Sequence, residues 1–296
     1  MQQTFDRAAE DIGNSVHLEH VNVNIPSQHH AALFYVAGLG LTRDPYLMVS
    51  DDNMWVNVGR SQFHLPTGKA TVLRGHTGLV ISGRQALLAR LAAVRGKLDG
   101  TKFVFSEHND YVEATCPWGN RVRVHEPDTA RFGRIMLGIP YVEFGVPPGS
   151  AKAIVKFYRE MISVPAEVVE DGSVARVLVG NGQHLIFRET DRPLPEFEDH
   201  HVQIYVVDFS GPYQRLKASN LESCEDYKYQ YRFRDIIDLD TGRHLFKIEH
   251  EVRSVKHPNY LRPLVNRNPA QTARSYSPGN DHRNWGMPPE PMGFGR

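Results

Sequence analysis

Apolar and polar residues alternate along Val16-His17-Leu18-Glu19-His20-Val21-Asn22-Val23-Asn24-Ile25, the two-residue period of a strand with one buried face. Ser27 then offers an N-cap to a short helix through Tyr35, and three short β-rich runs follow around Leu47, Trp55 and Phe63, each bounded by turn residues. This is a βαβββ unit. The pattern restarts at His76 with a strand, an Ala- and Leu-rich helix over Arg84 to Val94, and strands near Phe103, Tyr111 and Val122. About 120 residues further on, the order recurs. Gly138 to Val146 reads as a strand, and Ala151 to Tyr158 as a helix ending in a Phe157-Tyr158 pair that matches Phe34-Tyr35. Gly180-Asn181-Gly182-Gln183-His184-Leu185 matches Gly59-Arg60-Ser61-Gln62-Phe63-His64-Leu65, and His201 to Val206 matches His76 to Ile81. Each copy closes with a strand after a glycine turn, Gly119 to His125 and Gly242 to Glu249.

The pattern predicts an α+β fold of four βαβββ units. A mixed sheet whose helices cover one face leaves the other free to curl around a ligand. On the first strand Val21, Val23 and Ile25 form the helix-side stripe, while His20, Asn22 and Asn24 point the other way. The same alternation puts His64 with Gln62, His76 opposite Leu79 and Ile81, and Arg121, Arg123 and His125 opposite Val122 and Val124. Four strands thus share a polar face holding His20, His64, His76 and His125.

Composition narrows the function classes. The chain has 296 residues, 41% hydrophobic and 23% charged, which is enough for two buried cores. A formal net charge of zero without a basic tract gives no footprint for nucleic acid, and no apolar run approaches a membrane span. A cytoplasmic location is expected, because residues 1–14 lack a basic start and an apolar core. Two cysteines, Cys116 and Cys224, are too few for a disulfide framework and read as plain buried thiols. The 15 histidines are the outlier.

The run Leu18-Glu19-His20-Val21 before Phe34-Tyr35 and Gly38-Leu39-Gly40 resembles the opening of a module in the vicinal oxygen chelate superfamily of glyoxalases, extradiol dioxygenases and bleomycin-resistance proteins. Arg74-Gly75-His76-Thr77-Gly78-Leu79 and Pro117-Trp118-Gly119-Asn120-Arg121-Val122 resemble the first and last strands of a second module. The resemblance covers about residues 16–251 and implies two tandem glyoxalase-like domains, 16–130 and 135–252, each a curved mixed sheet enclosing a cleft. An N-terminal extension, 1–15, and a C-terminal tail, 253–296, flank them.

The superfamily also implies one divalent metal held from the first and fourth strands of paired units. In the first copy those positions fall on His20, His64, His76 and Arg123. Arginine cannot ligate, so the alternatives are three histidines alone or His125 as the fourth donor, with Arg121 and Arg123 free to bind an anionic substrate group. In the second copy Tyr141 replaces His20, and the extradiol set of two histidines and one glutamate is matched by His201 and Glu249, with Glu143 or His184 as the third.

Fe(II) or Mn(II) is favoured, and Zn, Ni and Co are also compatible with such donors. The leading expectation is a metal-dependent dioxygenase acting on a small oxygenated, aromatic or anionic substrate, with His184, Tyr205 or Tyr231 as acid/base. A glyoxalase-type lyase or isomerase comes next, and a non-catalytic binding or resistance protein third. Beyond Glu251 the chain turns rich in Pro, Gly, Asn and Arg, with Trp285, Met287, Met292 and Phe294 as anchors for homo-oligomer contacts or for covering the cleft.

Overall fold

The computed structural model describes residues 13–46 and 52–264. Four βαβββ units follow one another. The first holds β1 (Ser15–Asn22), α1 (Gln28–Ala31), β2 (Thr42–Arg43), β3 (Asn53–Val58) and β4 (Ser61–Pro66). The second holds β5 (Gly75–Val80), α2 (Arg84–Val94), β6 (Val104–Glu107), β7 (Val112–Thr115) and β8 (Arg121–His125). After a linker carrying α3 (Thr129–Phe132), the third holds β9 (Gly138–Val146), α4 (Ala151–Phe157), β10 (Ala166–Val169), β11 (Val174–Gly180) and β12 (Gln183–Glu189). The fourth holds β13 (His201–Val206), α5 (Ser210–Ala218), β14 (Glu222–Tyr227), β15 (Gln230–Ile237) and β16 (His244–Ser254). Ser27 caps α1, accepting from the His30 backbone N–H, and the helix continues as a π-helical turn over Ala32–Gly38. The expected run around Leu47 lies outside the described residues; the strand observed beside it is β2.

The strands form two eight-stranded mixed sheets, in the orders β14-β15-β16-β13-β1-β4-β3-β2 and β10-β11-β12-β9-β5-β8-β7-β6. The first unit therefore shares a sheet with the fourth, and the second with the third. The joints are antiparallel ladders between first strands, β1 with β13 and β5 with β9. Helices couple the units differently. The helix of the first unit packs on α2, where Leu91 and Val94 approach Gly38 and the Arg90 guanidinium donates to the Leu39 carbonyl. The third and fourth repeat this, with Arg215 of α5 donating to the Met161 carbonyl at 3.1 Å. Helix packing thus follows chain order, while the concave faces of the sheets are built across it.

One apolar cluster runs between the sheets and their helices. Phe34, Tyr35, Phe157 and Tyr158, the repeated pairs of the sequence, are all buried in it. His250 is neutral there, stacked on Phe233 at 4.2 Å, with Nδ1 donating to the Ile248 carbonyl and Nε2 accepting from the Tyr158 hydroxyl. Burial pushes it down to about 3.

Gln183, buried on the second sheet, ties the two sheets together. Its amide oxygen accepts from Leu18 N–H on β1, and its NH2 reaches the carbonyls of Leu18 and Ile139 and the Ser61 hydroxyl at 3.0–3.1 Å.

Replacing Gln183 by Leu should destabilise the protein by about 2–4 kcal/mol in denaturant titration, since it strands backbone groups that have no water to turn to. Acid should also unfold it. The unfolded chain binds a proton near pH 6.5 that His250 refuses until about 3, so stability is full above pH 6.5 and falls as pH drops through that window. The slope approaches about 1.4 kcal/mol per pH unit for each such histidine, and urea midpoints from pH 7 to 4 measure it; a flat series would contradict it.

Candidate metal centre

Cross-strand register lays out the concave face of the first sheet in rows. One row carries His64, Asn22, His201 and Glu249 on β4, β1, β13 and β16. The next carries Gln62, His20, Gln203 and Glu251 on the same four strands, with Arg232 of β15 beside Glu251. Strict alternation would turn Glu19 to the face opposite His20. The register shifts between Leu18 and His20, as in a β-bulge, and the Glu19 carboxylate reaches the same ring. A bulge re-aims one side chain without breaking the strand.

His20, His64 and His201 bring one ligand atom each to within 4.8 Å of one another. His20 Nδ1 donates to Glu19 Oε2 at 2.7 Å, which fixes the tautomer and points the Nε2 lone pair at His201 Nε2, 3.2 Å away. Either a proton or a cation has to lie between those two nitrogens. His64 Nε2 is buried without a hydrogen-bond partner, while Nδ1 lies 2.7 Å from the Asn22 amide. With that amide turned so that its oxygen accepts, Nε2 is left as a donor to a metal. Trp55 stacks on His64 at 3.8 Å and holds the ring in place.

Burial pushes His64 and His201 well below the usual histidine range, so both rings are neutral and in the state that ligates. Burial alone would raise Glu19, but the hydrogen bond from His20 and the charges of His20, Arg253 and Arg262 hold it well below the carboxylate range. Glu249 Oε1 lies 3.7 Å from His201 Nδ1, and Glu251 Oε2 lies 3.5 Å from His201 Nε2. Arg232 pairs with both carboxylates, Arg234 with Glu249 at 2.6 Å and Arg253 with Glu251 at 2.6 Å. Two neutral imidazoles, those of His64 and His201, the His20 ring beside them and the unpartnered Nε2 of His64 fit a divalent cation with His20, His64 and His201 as nitrogen donors, while Glu249 meets His201 at Nδ1, the ring nitrogen turned away from His20.

The centre draws on both expected sets and completes neither. His20 and His64 come from the first, His201 and Glu249 from the second. His76, His125, Arg121, Arg123, Glu143 and His184 all lie on the second sheet, because β5, β8, β9 and β12 pair there. His125 Nε2 bonds the Tyr141 hydroxyl at 2.9 Å, Arg123 pairs with Glu113, and Glu143 pairs with Arg188 and lies 4.0 Å from His76. Arg121 is exposed and donates to the Gly75 carbonyl at 3.4 Å. The Tyr141 ring lies over Gly78, so close that a Cβ there would meet it at 2.3 Å. Among the described residues that second face gathers no metal-binding group. Of the acid/base candidates, Tyr205 shares the face of His201 four residues along β13 and stays protonated, since burial raises its phenol. Tyr231 packs against Phe209 and Tyr213 beside α5, and His184 sits on β12. Glu19, Glu251, Arg232 and Arg253 are unforeseen members of the centre. Glu251 alone had a signal, at two residues past Glu249.

No known family profile matches the sequence, and no curated protein matches it. Solved structures do. A proposed dioxygenase from Bacillus subtilis superposes with a TM-score of 0.55 at 18% identity, covering 89% of this chain and 90% of its own. Glyoxalase I from Zea mays gives 0.53 at 11% identity, covering 80% of this chain and 92% of its own. The chain has the vicinal oxygen chelate fold, with its βαβββ units combined into two mixed sheets.

His20→Ala, His64→Ala and His201→Ala should each lower metal content after reconstitution by about tenfold or more at limiting metal. His76→Ala and His125→Ala should leave it unchanged. Elemental analysis of the five variants decides between the two sheets.

Proposed function

We propose that the protein is a metal-dependent oxygenase of the vicinal oxygen chelate type, acting on a small molecule with two adjacent oxygens, a catechol or a relative of one. The observation that carries this reading is the convergence of His20 and His201, from the paired first strands, with two buried carboxylates at His201, Glu249 beside Nδ1 and Glu251 beside the Nε2 that faces His20. Two histidines and one carboxylate are the donor set of ring-cleaving chemistry, and the resemblance implied Fe(II) or Mn(II) for it. A divalent cation bound there would supply Lewis acidity toward both substrate oxygens and, as iron or manganese, the redox partner for O₂.

The chain's own residues prepare the site. Glu19 keeps His20 in one tautomer, Arg232 and Arg234 hold the Glu249 carboxylate in place, and Trp55 fixes His64. Arg234 has the most exposed side chain of the three arginines here, at 41%, and is the natural partner for an acidic group on the substrate. Tyr205 keeps its proton at neutral pH and can serve only as a donor.

A glyoxalase-type lyase or isomerase is the second reading. It is favoured by His64, a donor on a fourth strand beyond the three groups that ring cleavage uses. The test is oxygen uptake by anaerobically reconstituted protein, loaded in turn with Fe(II), Mn(II), Zn(II), Ni(II) and Co(II), against a panel of catechols. Uptake with iron or manganese, lost in His201→Ala, is expected. Conversion of an α-ketoaldehyde hemithioacetal without oxygen uptake would replace this reading with the second, and ligand binding without turnover would leave a sequestering protein.

A further inference from the structure

Gln203 lies on β13 two residues past His201, on the same face, in register between His20 of β1 and Glu251 of β16. It is completely buried, and neither its amide nitrogen nor its amide oxygen has a hydrogen-bond partner among the described residues. Its neighbours are already engaged. His20 Nδ1 is held by Glu19, Glu251 pairs with Arg232 and Arg253, and Gln62 is bound to Asp44 and Arg262. His201 Nε2 stands 3.2 Å from His20 Nε2 and 3.5 Å from Glu251 Oε2, the two residues that flank Gln203 in the row. The ring of His201 therefore leans over the position Gln203 occupies.

A buried amide without a partner on either atom pays its full desolvation penalty, and a leucine of similar size would avoid it. We propose that Gln203 is an oxygen donor to the cation held by His20, His64 and His201. This rests on the reading of that cluster as a metal centre. The amide oxygen would add a hard fourth donor to the three ring nitrogens. Zinc, already suited by imidazole nitrogen, gains less from an amide oxygen than manganese and iron, whose sites commonly add oxygen ligands. Gln203 is then the residue that tilts the centre toward those metals.

The test uses the full chain, stripped of metal, as wild type, Gln203→Leu and Gln203→Glu, with competition titrations of Mn(II) and Zn(II) and thermal melts of the metal-free forms. Metal-free Gln203→Leu should melt at or above the wild-type temperature, because it removes an unpaired polar group. Its Mn(II) dissociation constant should rise by about tenfold or more while that for Zn(II) moves by less than about threefold. Gln203→Glu should bind Mn(II) more tightly, and it decides the matter should the leucine variant fail to fold. Parallel losses for both metals, or no change in either, would overturn the role of Gln203 while leaving the metal centre standing. A wild type that binds neither metal would overturn both.

Discussion

The antiparallel ladder between β1 and β13 is the interaction on which the site depends. It joins the first and last units of the chain across about 180 residues of sequence, pairing Val21 with Val202 and Asn22 with His201. Without it His20 and His201 would belong to different sheets and no three-histidine cluster would form. Long-range ladders are costly to close, because chain entropy is lost before contacts compensate. Two other features offset that cost. The helix pairs hold successive units together through Arg90 and Arg215, and the Gln183 amide satisfies the Leu18 backbone of β1 below its pairing with β4.

Charge on the concave face of the first sheet is balanced locally. Glu19, Glu249 and Glu251 are all buried, and each is answered by an arginine or by His20. That balance lets carboxylates persist where water cannot reach them. The imidazoles of His64 and His201 are different: burial keeps them uncharged, His64 Nε2 has no partner, and both rings converge with His20 where a cation would find nitrogen lone pairs. Burial tunes them for this, since a ring that will not protonate does not lose its lone pair in competition with a proton.

Much of the fold was legible in the sequence because it rests on local periodicities. The helix over Arg84–Val94, the Ser27 cap, the Phe-Tyr core pairs and the sorting of His20 and His64 to the polar face follow from patterns of two and 3.6 residues. Partner choice between strands is not local. Alternation says which face a side chain takes, never which strand lies beside it, so grouping His76 and His125 with His20 was as consistent with the pattern as the pairing observed. Glu19 escaped for another reason, because a bulge suspends the alternation on which the reading rests. Gln203 was hidden by its type, since a glutamine on a strand carries no motif and only its isolation in the folded chain marks it.

The two concave faces show how a duplicated architecture can divide its labour. Both begin from equivalent strands, and His76 stands where a ligand could stand, buried with Nε2 unpartnered. What separates them is steric. Gly78 leaves a hollow on β5, the Tyr141 ring from β9 fills it, and the Tyr141 hydroxyl bonds His125, so the space between the first strands is occupied by the protein itself. A phenol in that place removes both the room and the donor that a cation would need, and it adds apolar packing beneath the sheet. On the first sheet the equivalent position is His20, whose smaller ring leaves its outer nitrogen facing His201 Nε2. One aromatic exchange at the joint between units thus fills one concave face with protein and leaves three histidines facing one another on the other.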